Sequence, residues 1–310
     1  MELRIQEKML KILITLIIIS LLGYLGKNYL FKEEDKEVIS KFVYNFSLPA
    51  LVFYSIYTNP PQISSFKVAI TEWIISFIVG TLSIFLGFIL KLSRETIGSL
   101  FLVSIGGNVT FMGYPIMEKL FGNQGLTLAI LYDQLGMIVF VYTIGILVIS
   151  LLVKPEKTTN RRFLGIERIL INPPLWALIA GFLFQKINIP DFLLESFSIL
   201  GRATTPLMMF LLGLSLSKPY KDNKSIMGVS VGVLLKLILF PLFALITAKL
   251  LNLSDIPLKV TVLESAMPSM LTALVLSLQF NLDYVFTSQV ITYSTLLSLI
   301  TLNLWIGVIK

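Results

Sequence analysis

Four ionisable residues, Asp133, Glu264, Arg202 and Lys236, stand inside stretches of the chain that are otherwise apolar. A charge at the centre of a bilayer costs at least about 2.5–3.5 kcal/mol, so each is a functional candidate by default. Glu264 lies four residues before Pro268, one helical turn from a residue that breaks helices. A carboxylate there could hold Na⁺ or carry H⁺, and Asp133 is its expected partner, the other reading of Asp133 being an interfacial carboxylate. Arg202 precedes Pro206 by one turn and either attracts an organic anion or snorkels to the surface. Lys236 is expected to be neutralised by Glu264 or Asp133. Other chemistries are closed off, because the chain has neither cysteine nor histidine. That removes thiols, disulfides and every zinc motif built on imidazole pairs, and no cofactor is expected.

Positioning these groups falls to membrane helices. Of 310 residues 55% are hydrophobic and 14% charged, with a mean hydropathy of +0.85; the composition is that of an all-α polytopic membrane protein. Apolar runs long enough to cross about 30 Å of hydrocarbon lie near 9–26, 40–57, 67–90, 97–120, 125–152, 168–187, 196–217, 226–249, 258–281 and 284–309. The first follows Arg4, Lys8 and Lys11 as a signal peptide would, but it lacks a small-residue cleavage site and is read as a helix. The net charge of +7 is dispersed between spans, which argues against nucleic acid. Lysine and arginine are more frequent in the odd-numbered loops than in the even-numbered loops and ends, 14 against 9. The excess puts the 153–168 loop in the cytoplasm and both termini outside, in a cell (plasma or inner) membrane. Glu72, Glu118, Trp73 and Trp305 are expected at the interfaces. Met208, Met209, Met267 and Met270 are read as packing residues or as a cavity lining.

An internal repeat organises the spans. Asn45-Phe-Ser-Leu-Pro49 in the second is echoed by Arg202-Ala-Thr-Thr-Pro206 in the seventh, 157 residues on. Met112-Gly-Tyr-Pro115 in the fourth is echoed by Ala266-Met-Pro268 in the ninth. Two five-span halves, 1–152 and 169–310, joined by the 153–168 linker, would form an inverted repeat, since five spans bring the second half in from the opposite side. Pro115 with Gly106, Gly107 and Gly113, and Pro268 in the opposite half, predict two broken helices. Breaks in mid-bilayer are tolerated only where protein or a cavity satisfies the backbone. Paired breaks in two inverted halves point to a secondary transporter's binding site.

The pieces SLPALVF (47–53), GNVTFMGYP (107–115), NPPLWALIAG (172–181), PLMMFLLGLSL (206–216) and ESAMPSM (264–270) occur in order. The chain carrying them resembles the auxin efflux carrier family, which includes plant PIN carriers and prokaryotic permeases. The resemblance implies a bile acid symporter/PIN-like fold with crossing helices 4 and 9. Spans 1, 2, 6 and 7 would be a scaffold that often dimerises, and spans 3–5 and 8–10 a mobile transport domain. It also implies a substrate site at Asn108, flanked by Gly107, Val109 and Pro115 and facing Met267, Pro268 and Ser269. Tyr142 matches the tyrosine of the family's fifth-span Trp-Tyr-Thr pattern. Valine replaces the tryptophan here, which counts against an indole-sized substrate. Asn172 matches the first asparagine of an Asn-Pro-Asn pattern reduced to Asn-Pro-Pro, and a simple helix start explains it equally.

The expected activity is carriage of a small organic anion, an auxin-like molecule or a dicarboxylate, by elevator-type alternating access. A Na⁺ site near Glu264 is one expectation, and the alternative is a Na⁺- or H⁺-coupled carrier of another solute class. An intramembrane enzyme is the rival from another class. Tyr132-Asp133 matches half of an intramembrane aspartyl protease signature, but no Gly-x-Gly-Asp follows to supply the second carboxylate. No Gly-x-x-x-x-Gly-Lys-Ser/Thr sequence is present to bind ATP.

Overall fold

A computed structural model describes residues 2–27, 29–153, 163–215 and 226–309. The regular elements it describes are helices, as a chain in hydrocarbon requires: helices satisfy their backbone groups internally. The helical stretches cover the apolar runs of the sequence, and the charged helix Glu33–Phe42 leads into the second. Five of these stretches, Ile63–Ile89, Val109–Leu152, Asp191–Leu214, Ile226–Leu250 and Tyr284–Val308, are long and apolar enough to cross a membrane. Most of the 153–168 linker lies outside the described residues.

Polar caps and one glycine set the boundaries. Ser93 starts Arg94–Ile105 by accepting the Thr96 N–H at 3.2 Å. Asp283 does the same for Tyr284–Val308, accepting the Phe286 N–H at 3.0 Å. Within Tyr114–Leu131, Gly122 adopts φ 67° and ψ −157° and turns the chain. Only glycine is at ease there, which is why the fourth and fifth runs end and begin on either side of it.

The fold divides into two compact units that interleave along the sequence. The first comprises Met1–Ser65, Thr110–Ile130 and Asn172–Leu216. In it, Glu2–Lys27 packs tightly on Thr204–Ser215. Gly23 lies against the Phe210 backbone and Gly213 against the Ser20 backbone, so neither position has room for a Cβ. Ser20 Oγ donates to the Met209 carbonyl at 3.0 Å across the same contact. Small residues that let two helix backbones meet replace the hydrophobic drive that lipid abolishes. Ser47 and Thr204, one from each echoed segment, share a hydrogen bond of 2.7 Å and are 157 positions apart, the spacing that separates Pro49 from Pro206.

The second unit comprises Phe66–Val109, Leu131–Ile171 and Ser217–Lys310. Lys67–Ile89 packs on Arg94–Ile105 through Gly80 and Gly87, which face Phe101 and Ile97. Gly228 and Gly232 of Ile226–Leu234 face Phe286 and Val290 of Tyr284–Val308. Trp305 is buried and donates to the Leu237 carbonyl at 2.9 Å. This corrects the interfacial expectation: an indole N–H that finds a carbonyl inside the unit needs no lipid headgroup. Trp73 keeps an exposed face while donating to the Leu135 carbonyl at 3.0 Å.

Candidate functional site

Two helices of the second unit stop in mid-course and their irregular segments join. Arg94–Ile105 ends at Gly106, which is extended at φ −102° and ψ 128°; helix resumes at Val109. Asp255–Ser265 ends at Ala266, and helix resumes at Thr272. Between them Gly107 and Ser269 form an antiparallel bridge. Asn108 N–H donates to the Pro268 carbonyl at 2.7 Å, and Met270 N–H to the Gly106 carbonyl at 3.0 Å. Each break thus supplies the partners the other lost, as protein-buried irregular backbone must. Ser269 is anchored further, its N–H donating to Ser294 Oγ at 3.1 Å and its hydroxyl to the Val103 carbonyl at 2.7 Å. Gly107 N–H points at Met137 Sδ, 3.2 Å away, and Met267 N–H donates to the Glu264 carbonyl at 3.2 Å.

The break lies at Gly106–Asn108, and Pro115 is eight residues beyond Gly107. Pro115 is the second residue of Tyr114–Leu131, following the π-helical turn Val109–Gly113, and it falls in the first unit. It therefore marks where a widened turn becomes α-helix, while the adjacent glycines and the pairing with Pro268 make the opening. Proline's missing N–H suits the first turn of a helix.

Asn108 is the polar group the crossing leaves over. Its side chain is 3% exposed, and neither amide atom has a hydrogen-bond partner among the described residues. Unsatisfied buried polar atoms cost about 1–3 kcal/mol each. Val109, which follows it, is buried and begins the second half-helix.

Beside the crossing lies a buried charged cluster. Glu264 is 0% exposed, and neither carboxylate oxygen has a hydrogen-bond partner among the described residues. Lys236, also 0% exposed, sends Nζ to the Ser265 carbonyl at 2.9 Å and places it 4.0 Å from the centre of the Phe240 ring. Its Coulombic partners are Glu72 and Glu264. Among the described residues no direct ion pair joins Lys236 to Glu72 or Glu264: its direct contacts are a backbone carbonyl and an aromatic face, and Glu264 acts on it at Coulombic range. Asp133 is buried, accepts from Gln134 Nε2 at 2.9 Å, and lies within Coulombic range of Glu72 and Glu264. Ser265 spends its hydroxyl proton on the Thr261 carbonyl at 2.7 Å, leaving Tyr132 OH to donate to Ser265 Oγ at 2.9 Å. Among the described residues no group of three or more His, Cys, Asp or Glu side chains is placed to hold a metal ion.

Glu72 corrects the sequence reading. Expected at the interface, it is 1% exposed, and its Oε1 accepts from Ser76 at 2.6 Å. A signal was available: Ala69, Ser76, Gly80, Ser83 and Gly87 make a buried stripe of small residues on one face of the helix, and Glu72 lies on it. Likewise Gly228, Gly232 and Lys236 recur every four residues on one face. Asp133, Tyr142, Lys236 and Val109 all sit in π-helical turns, Tyr132–Met137, Val141–Gly145, Leu235–Leu239 and Val109–Gly113. Such turns often mark functional positions, because the extra residue re-aims a side chain.

The remaining candidates are placed elsewhere. Tyr142 is half-buried, with the Arg168 guanidinium 5.5 Å from its ring centre, and Arg168 in turn donates to Gln279 Oε1 at 2.6 Å. Asn172 lies in the first unit as the N-cap of Pro173–Leu183, accepting the Leu175 N–H at 3.2 Å. Arg202 is exposed at the last turn of Asp191–Arg202, where a cation suits the helix dipole. Met208, Met209, Met267 and Met270 are buried.

Comparison with known proteins agrees along nearly the whole chain. The family described as "Membrane transport protein" matches residues 8–306. An uncharacterized transporter of Methanocaldococcus jannaschii is 32% identical over 299 residues, covering 95% of this chain and 96% of the relative. The uncharacterized transporter YfdV of Escherichia coli is 25% identical over 305 residues, 96% of each chain. Auxin efflux carrier component 8 of Arabidopsis thaliana is 22% identical over 343 residues, 90% of this chain and 91% of the relative.

Proposed function

The chain belongs to the membrane transport protein family, which extends to the auxin efflux carriers, and on that premise we propose that it carries a small organic anion, a carboxylate, by alternating access. It is a multi-pass membrane transporter and not an enzyme. The observation that carries the substrate class is the side chain of Asn108, buried, without a hydrogen-bond partner among the described residues, and set where a half-helix begins. A helix N-terminus acts as roughly half a positive charge. An amide N–H beside it is a donor suited to a carboxylate, and broken helices in carriers present such ends to anionic substrates.

In this reading Gly107, Asn108, Val109, Met267, Pro268 and Ser269 form the backbone-rich wall of the site, and Tyr142 contributes a ring. Spans 3–5 and 8–10 move as the transport domain, spans 1, 2, 6 and 7 serve as scaffold and dimer surface, and the two halves are inverted repeats. The Ser47–Thr204 hydrogen bond supports the repeat, because equivalent positions of two halves meet near the axis relating them. Asn172 is a helix cap in this scheme, with no ligand role.

The test is uptake into proteoliposomes of those mono- and dicarboxylates that raise the protein's thermal unfolding midpoint. Asn108→Ala should lower uptake by about 5- to 150-fold, the equivalent of the 1–3 kcal/mol of a buried hydrogen-bonding group, with the fold intact by circular dichroism. Undiminished uptake would remove Asn108 from the site, and no response to any carboxylate would remove the anion assignment.

A further inference from the structure

We infer that the ammonium of Lys236 is a built-in cation that takes the place of a metal ion at the helix crossing, so that the protein binds no sodium there. The inference deepens the carrier reading and depends on it only for its consequence for coupling.

The physical need for a cation at this point follows from the backbone. Arg94–Ile105 and Asp255–Ser265 both end at the crossing. A helix C-terminus acts as about half a negative charge and leaves its last carbonyls without intrahelical partners. Glu264 and Glu72 add carboxylates to the same region, both fully buried, and Glu264 has no hydrogen-bond donor among the described residues. Concentrated negative charge in a medium of low dielectric demands a compensating cation. Broken-helix carriers generally obtain it by coordinating Na⁺ or H⁺ at half-helix C-terminal ends and unwound carbonyls.

Lys236 already occupies that position. Its Nζ donates to the carbonyl of Ser265, the last residue of its half-helix, at 2.9 Å. It also sits against Gly107, where even a Cβ would come within 3.3 Å of it. Glu72 and Glu264 attract it, and the face of Phe240 at 4.0 Å favours a cation over a neutral amine. The side chain is fully buried in the π-helical turn Leu235–Leu239, and the extra residue of such a turn lets one side chain reach off the helix face. An ammonium held by a carbonyl and an aromatic face, with two carboxyl groups in Coulombic range, occupies the place a coordinated metal would take. The difference is that it cannot leave. The amine stays with the crossing through every cycle, so a sodium gradient has nothing to act on at this point.

Sodium binding is measured on the purified full-length protein without any organic anion, by thermal unfolding in NaCl, KCl and choline chloride at equal ionic strength. Wild type should unfold at the same temperature in all three. Lys236→Ala frees the Ser265 carbonyl within Coulombic range of Glu72 and Glu264, and oxygen ligands are what hard cations prefer. That variant should gain a sodium-selective rise of about 2–4 °C once sodium exceeds its dissociation constant roughly tenfold. Lys236→Arg should remain insensitive. Should the alanine variant fail to fold, Lys236→Gln removes the charge while keeping a donor for Ser265 and should show the same selectivity. Sodium-selective stabilisation of wild type would overturn the inference, as would identical responses of wild type and both uncharged variants. Because no substrate is present, a wild type indifferent to sodium that also moves no carboxylate would sink the carrier reading and leave the tethered cation standing.

Discussion

Gly106 offers a direct trial of the crossing's packing. Its backbone is extended, φ −102° and ψ 128°, a conformation open to any residue, so Gly106→Ala costs nothing in the chain itself. The cost comes from Met270. A Cβ at 106 would overlap Met270 Sδ and lie 2.6 Å from its Cε and 2.7 Å from its Cγ. Met270 cannot withdraw freely: it is buried, and its N–H is bonded to the Gly106 carbonyl at 3.0 Å. Forcing a side chain aside in a filled core costs about 1–3 kcal/mol. Met270→Ala alone should cost about 2–5 kcal/mol, the range for deleting a buried methionine side chain. In the double variant the methyl at 106 enters the space Met270 has vacated, and the clash disappears. The pair should therefore be less destabilised than the sum of the singles by about 1–3 kcal/mol, read from reversible SDS-induced unfolding monitored by far-ultraviolet circular dichroism. Additivity within about 0.5 kcal/mol, the behaviour of sites that do not touch, would refute the contact and with it this account of why glycine stands at 106.

Two further substitutions separate conformation and capping from binding. Gly122→Ala meets no atom within 4 Å but must adopt φ 67°, so it should lose about 1–3 kcal/mol in the same unfolding titration; an unchanged midpoint would mean the turn is not built as described. Asn172→Ala removes the acceptor for the Leu175 N–H and should cost about 0.5–2 kcal/mol with carboxylate uptake per folded protein retained. Asn172→Ser should recover the stability, whereas loss of uptake at full stability would make Asn172 a ligand after all.

Much of the site was legible in advance because backbone chemistry is local. A glycine pair followed by asparagine in an apolar run, and a proline in a second run, announce interruptions wherever the helices later lie, since a broken helix in lipid must be paired or lined. Glu264 and Lys236 were visible as charges that hydrocarbon does not tolerate. Glu72 was misread because it lies six residues into its helix, and distance from a span's end says nothing about which way a helix faces. Pro115 was misread because proline is the residue most associated with a break, yet at the start of a helix its missing N–H does no harm.

By itself the sequence determined that this chain crosses a membrane as helices, roughly where those helices lie, that two of them break, and that no metal-imidazole or thiol chemistry operates. These follow from hydropathy, from glycine and proline, and from which residue types are present, each a property of a short window of chain. Only the tertiary structure decided that Gly107 meets Ser269, that Asn108 is left with an idle amide, and that Lys236 turns to a helix-end carbonyl instead of a carboxylate. A helix apolar on every side carries little record of its own rotation. Which face is buried, and which charge meets which, is settled when neighbouring helices close on their small residues.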